Sequence, residues 1–135
     1  MRTLTCALLA LALAGFAYAA NNSAQLEEIQ EVADAYLQAA VDDDFDTFLE
    51  LSSAKRKAEY EKNDLNCILA RYWESAREAV DEEGASWEFV KVQGNTDDKV
   101  SFVYNKTDND GEKEVTVHMR KEGDEWLVDA AGGAF

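Results

Sequence analysis

Lys99-Val100-Ser101-Phe102-Val103-Tyr104-Asn105 and Lys113-Glu114-Val115-Thr116-Val117-His118-Met119-Arg120, joined through Asp108-Asn109-Asp110-Gly111, form the stretch that decides the fold. Side chains alternate across a strand, so Val100, Phe102 and Tyr104 fall on one face, as do Val115, Val117 and Met119. Glu114, Thr116, His118 and Arg120 point the other way. The same alternation extends outward to Trp87–Gln93 on one side and Glu125–Ala130 on the other. The separators Asn95-Thr96-Asp97-Asp98, Asp108-Asn109-Asp110-Gly111 and Glu122-Gly123-Asp124 are turn formers. Four consecutive strands with short turns read as an antiparallel meander. A meander with one apolar face needs helices to cover it.

Those helices lie upstream. Leu26, Ile29, Ala33, Tyr36, Leu37, Ala40 and Val41 recur at spacings of three and four, the apolar stripe of an amphipathic helix over Ala24–Asp42. Ser23 is the expected cap, with Glu27 and Glu28 favourable to the helix dipole. The run Asp42-Asp43-Asp44 interrupts the pattern, and Asp43 or Asp44 can cap a short helix bearing Phe45, Phe48, Leu49 and Leu51. Asn63 or Asp64 is expected to cap a third helix carrying Leu65, Ile68, Leu69, Tyr72, Trp73, Ala76, Ala79 and Val80, which stops near Gly84. Between them, Lys55–Lys62 reads as a helical continuation or an exposed link. The class is α+β: N-terminal helices on a curved antiparallel sheet of four strands or more.

The first nineteen residues have a different character. Met1-Arg2, an apolar run from Leu4 to Phe16, and Ala17-Tyr18-Ala19 are built like a cleaved secretory signal. The run is too short for a spanning helix, which needs about 20 apolar residues. Cys6 sits at the start of the apolar stretch, so no signal core precedes it as a lipid-anchored Cys would require. The expectation is one domain at 20–135, with its core at 26–130, exported to a periplasm or beyond by a bacterial route. Asn21-Asn22-Ser23 and Asn105-Lys106-Thr107 are glycosylation sequons only if that route is eukaryotic.

Composition narrows the partners. The chain has 13 Lys and Arg against 28 Asp and Glu; only Arg2 lies in the signal, which leaves 12 against 28, a formal −16. Nucleic acid binding rests on clustered Lys and Arg, and Lys55-Arg56-Lys57 is the only tight basic cluster. An anionic membrane surface is disfavoured on the same ground. The acidic surface is read as a solvating one. Cys67, the only Cys beyond the signal, cannot form an intramolecular disulfide and is expected to be buried as a small hydrophobe.

The order of helices and meander, with Asp44-Phe45-Asp46-Thr47-Phe48 after the first helix and Gly123-Asp124-Glu125-Trp126-Leu127-Val128-Asp129 closing the chain, resembles the nuclear transport factor 2-like superfamily, also called the cystatin-like fold. The likeness is to its small exported, uncharacterised members and covers Leu26–Ala130. It implies a cone in which the curved sheet wraps the helices and can leave an apolar pocket at the open end. Family members include enzymes, small-molecule binders, dimers and accessory domains, so the resemblance speaks to shape more than to activity.

Candidate sites follow from the residue types. Tyr36, Phe48, Tyr72, Trp73, Phe89 and Phe102 can line an apolar pocket or pack the core. Glu114, Thr116, His118 and Arg120 form a displayed face suited to a partner. His118 and Asp129 are the residues weighed for catalysis, and neither has a positioned partner in the sequence, so no catalytic residue is assigned. Asp108–Glu112 fails the calcium-loop register: with Gly111 at position six, Lys106 and Val117 fall at the first and twelfth positions. No metal ligand set and no cofactor motif is assigned.

The leading expectation is an exported, non-enzymatic domain binding a small apolar ligand or a protein partner. The alternatives are a small lyase or isomerase with its pocket in the cone, and a homodimeric interaction module. Mass spectrometry of the exported protein is expected to find its N-terminus at Ala20 or an immediate neighbour; an intact Met1 or a lipidated Cys6 would refute the signal reading.

Overall fold

The computed structural model describes residues 21–132, so the signal segment and Cys6 lie outside the described residues. Helix α1 spans Ser23–Val41, α2 Phe45–Glu50, α3 Ala54–Asn63 and α4 Ile68–Glu83. Strands β1 Ser86–Asn95, β2 Lys99–Asp108, β3 Gly111–Glu122 and β4 Glu125–Gly132 then form one curved antiparallel sheet in sequential order. The α+β class and the four-stranded meander are those that the period of the sequence implies.

Helix starts differ from expectation in two places. Asn22, one residue before Ser23, caps α1: its side chain accepts from Gln25 N while Gln25 Oε1 accepts from Asn22 N, each at 2.9 Å. This reciprocal box satisfies two donors that a serine at position 23 would leave open. Further along, Lys55–Lys62 is a helix in its own right, capped by Ser53. It consumes Asn63, and Asp64 turns the chain out of it at φ 52. The last helix therefore starts at Ile68 behind Cys67, which offers no side-chain cap bond. Leu65, left outside, is 68% exposed. Asp44 caps α2 as one of the two expected candidates, accepting from Thr47 N and Thr47 Oγ1; these bonds hold its carboxyl below the usual range. Gly84 ends α4 in the left-handed region at φ 64, where a Cβ would be strained.

Ile29, Ala33, Tyr36, Leu37 and Ala40 of α1 bury their stripe against Val100, Phe102 and Tyr104 of β2, Val117 and Met119 of β3, and Val128 of β4. Phe48 closes this core from α2, stacked on Tyr36 with ring centroids 4.0 Å apart. Trp73 of α4 lies against Phe48 at 5.0 Å. Cys67 is buried, its Sγ 3.2 Å from the Asp64 carbonyl.

The two sheet edges are treated differently. Along β4, the link between α2 and α3 pairs in parallel through Ser52: Ser53 N donates to Val128 O and Val128 N to Leu51 O, both at 2.8 Å. Ser53 Oγ bonds Asp129 Oδ1, and Arg56 Nε donates to the Asp129 carbonyl. At the opposite edge, β1 shifts register twice, between Phe89 and Lys91 and between Val92 and Gly94. Such irregularities, with charged residues beside them, discourage pairing with a further strand. Asn21, at the start of the described residues, is tied to the same strand: its Nδ2 donates to Asn95 Oδ1 and Thr96 O, each at 2.9 Å, and Asn95 Nδ2 returns a bond to Asn21 O. A glycan on Asn21 would take the nitrogen that makes these bonds.

Phe48→Ala removes the ring between α1, α4 and the sheet and is expected to cost about 3–5 kcal/mol in urea unfolding. Leu65→Ala, on the exposed turn, is expected to stay within about 0.5 kcal/mol of the parent. Equal costs would contradict this placement of the core.

Candidate functional site

A concavity among the described residues lies between α1 and the start of β1. On α1, Gln30, Asp34, Leu37, Gln38 and Val41 recur at helical spacing along one flank, beside the buried stripe. Across from them run Ala85, Ser86, Trp87, Glu88 and Phe89, with Tyr104 of β2 beneath, paired in register with Phe89. The groove holds about 440 Å³, inside the range of about 300–1,000 Å³ found for small-molecule sites.

One hydrogen bond organises its floor. Tyr104 is 1% exposed, yet its hydroxyl donates to Oδ1 of the exposed Asp34 at 2.5 Å. Burial, then the hydrogen bond to Asp34 and its charge, push the Tyr104 phenol far above its ordinary pKa. Tyr104 therefore stays a neutral donor through the physiological range. Its ring belongs to the core and its hydroxyl to the groove, so the pair fixes a carboxylate at the boundary of apolar and wet surface.

Of the six aromatics singled out by sequence, the groove takes Phe89 into its lining. Phe102 packs against Phe89 with centroids 5.8 Å apart. Tyr36, Phe48 and Trp73 form the helix-side cluster, with half-buried Tyr72 packed against the core beside them. Asp34 did not stand out in the sequence. The signal present was weak: a helical carboxylate whose neighbours four residues away are Gln30 and Gln38 instead of Lys or Arg.

The displayed face is where alternation puts it. Glu114, His118 and Arg120 are exposed and Thr116 is half-buried, opposite Asn105, Ser101, Lys99 and Val103 respectively. His118 Nδ1 lies 2.8 Å from Ser101 Oγ across the strand pair. Asp129, the other residue weighed for catalysis, is engaged by Ser53 in the β4 edge seam. Each of Asp42, Asp43 and Asp44 has its own partner, respectively Gln38, Arg77 and Thr47.

A second polar group sits at the β2–β3 hairpin. Asn109 and Asp110 form its two-residue turn, with Asp108 Oδ1 accepting from Asp110 N at 2.8 Å. Oxygens of Glu83, Asp108 and Asp110 gather within 4.8 Å of one another. Buried Lys106 lies 3.4 Å from Asp108 Oδ2, and Asn109 N donates to the Glu83 carbonyl. This ties the end of α4 to the hairpin. Desolvation and then the neighbouring Asp108 raise the Glu83 pKa, whereas the bond from Asp110 N, with help from Lys106, lowers that of Asp108.

No family model matches the chain, and no curated protein matches it. Among solved structures it is similar to a SEC-C motif containing protein from Rhodopseudomonas palustris, with a TM-score of 0.49 and 12% identity, covering 73% of this chain and 72% of that one. No helix among the described residues is long and apolar enough to cross a membrane.

Glu83 supplies a pH test with a defined sign. A carboxyl with a raised folded-state pKa favours the fold below its unfolded pKa, about 4.3 for Glu, and that contribution fades as pH rises through the folded value. Asp108 behaves oppositely, its stabilisation fading as pH falls. Glu83→Gln is thus expected to raise the thermal midpoint slightly at about pH 7, with the gap closing as pH approaches about 4. A gap independent of pH would show that the Glu83 charge has no part in it.

Proposed function

We propose that this is an exported, non-enzymatic binding domain of the nuclear transport factor 2-like kind, which holds a small, largely apolar ligand in the groove between α1 and β1. The observation that carries the reading is the groove itself. Leu37, Val41, Trp87 and Phe89 supply apolar surface, while the Asp34–Tyr104 pair supplies one oriented polar point. Apolar walls with a few placed polar groups are the usual make-up of a ligand site. Support for export comes from the signal-like first nineteen residues.

The Asp34–Tyr104 pair also favours a second reading, a lyase or isomerase in which Asp34 takes a proton from bound substrate. Two features weigh against it. Asp34 is exposed to water, and the Tyr104 phenol is held neutral too firmly to take its turn as an acid.

Indole-3-ethanol is a suitable probe, followed by amide chemical shifts. At about −0.3 kcal/mol per non-hydrogen atom it should bind in roughly the millimolar range. Shifts are expected at Ser86–Phe89 and on the facing flank of α1. Gln38→Trp, an exposed helix position on the rim, should fill the groove and abolish them without unfolding the protein. If no groove amide responds, the binding reading fails.

A further inference from the structure

The groove is charged in one sense only. Its lining includes the carboxylate of Asp34, the amide side chains of Gln30 and Gln38, and no Lys or Arg; Glu88 contributes to the rim, its side chain alternating away from Trp87 and Phe89. Arg77, outside the lining, is committed to the carbonyls of Ala40 and Val41 and to Asp43 and Asp81. Asp34 commits Oδ1 to Tyr104, and Oδ2 takes part in no hydrogen bond among the described residues. The bond from Tyr104 prevents that carboxylate from swinging freely, so one acceptor stays aimed from a fixed point beside the aromatic surface of Trp87 and Phe89.

We propose that the groove selects a small aromatic amine, its ammonium paired with Asp34 and its ring laid against the Trp87–Phe89 wall. This rests on the binding reading above and adds the ligand's chemistry to it. An ammonium has only donors to offer, and Asp34 presents an acceptor; an anion would meet the Asp34 charge with no Lys or Arg in the lining to offset it. Trp and Phe faces also attract a cation within about 6 Å of the ring centre. The formal charge of the whole chain, −15, adds a long-range field that draws cations and repels anions. A groove of about 440 Å³ suits a molecule of one or two rings better than a long chain.

The test pairs tryptamine with indole-3-ethanol, which share the indole and differ in the charged group, on protein expressed from the full chain. Tryptamine is expected to bind about tenfold more tightly, with shifts centred on Asp34 and Trp87–Phe89. Asp34→Asn, which keeps the acceptor for Tyr104, should erase that advantage, bringing tryptamine to the level of indole-3-ethanol on the same variant. Glu114→Gln, on the displayed face outside the groove lining, should not alter it. If both probes bind the groove equally and Asp34→Asn has no effect, the amine assignment is overturned and the apolar groove stands. Should tryptamine instead move the amides around Glu83 and Asp110 without preference for the groove, the attraction is merely diffuse and the assignment falls as well. Silence of the groove to both probes overturns both readings together.

Discussion

The packing of α1 on the inner face of the sheet is the constraint on which the rest depends. A four-stranded meander with Val100, Phe102, Tyr104, Val115, Val117 and Met119 on one side cannot leave that side in water. Helix α1 covers it with Ala33 and Ala40, small enough for close approach, and Ile29, Tyr36 and Leu37, large enough to fill the space between. Phe48 and Trp73 then close over Tyr36. Cys67 is the one cysteine among the described residues and is free, so this layer holds them together without a disulfide.

That packing also explains why there is a groove. Helix α1 lies chiefly over β4, β2 and β3, and β1, beyond them in the sheet, carries two register shifts. The flank of α1 next to the buried stripe therefore faces the start of β1 across a gap. Phe89 and Trp87 are only partly covered, and the Tyr104 hydroxyl, at the margin of the core, needs an acceptor. Asp34 supplies it. A single requirement for satisfying a buried phenol thus places a fixed carboxylate in the cleft, beside Leu37, Val41, Trp87 and Phe89.

Much of the architecture was legible beforehand because it rests on period and turn chemistry. The alternation of β2 and β3, the stripe of α1, the Gly84 stop and the Asp108–Gly111 hairpin are local patterns, and each is found where the residues point. The misplaced starts of α1 and α4 have local causes of another kind. Asn22 outcompetes Ser23 through a reciprocal bond with Gln25, and Asn63 is claimed by a helix whose polar sequence has no apolar stripe to announce it. Of the six aromatics, Tyr36, Phe48 and Trp73 meet in one cluster and Phe89 and Phe102 in another, a division that spacing along the chain does not encode.

What the sequence determined by itself was the alternation of faces, the order of elements and the acidic balance, since these depend on neighbours along the chain and on counts. Only the tertiary structure decided that Tyr104 reaches Asp34, seventy residues away, and that α1 stops short of covering β1. Those outcomes depend on how far a helix can slide over a twisted sheet before its side chains clash or leave a void. That is a property of packed volumes in three dimensions, and no periodicity records it.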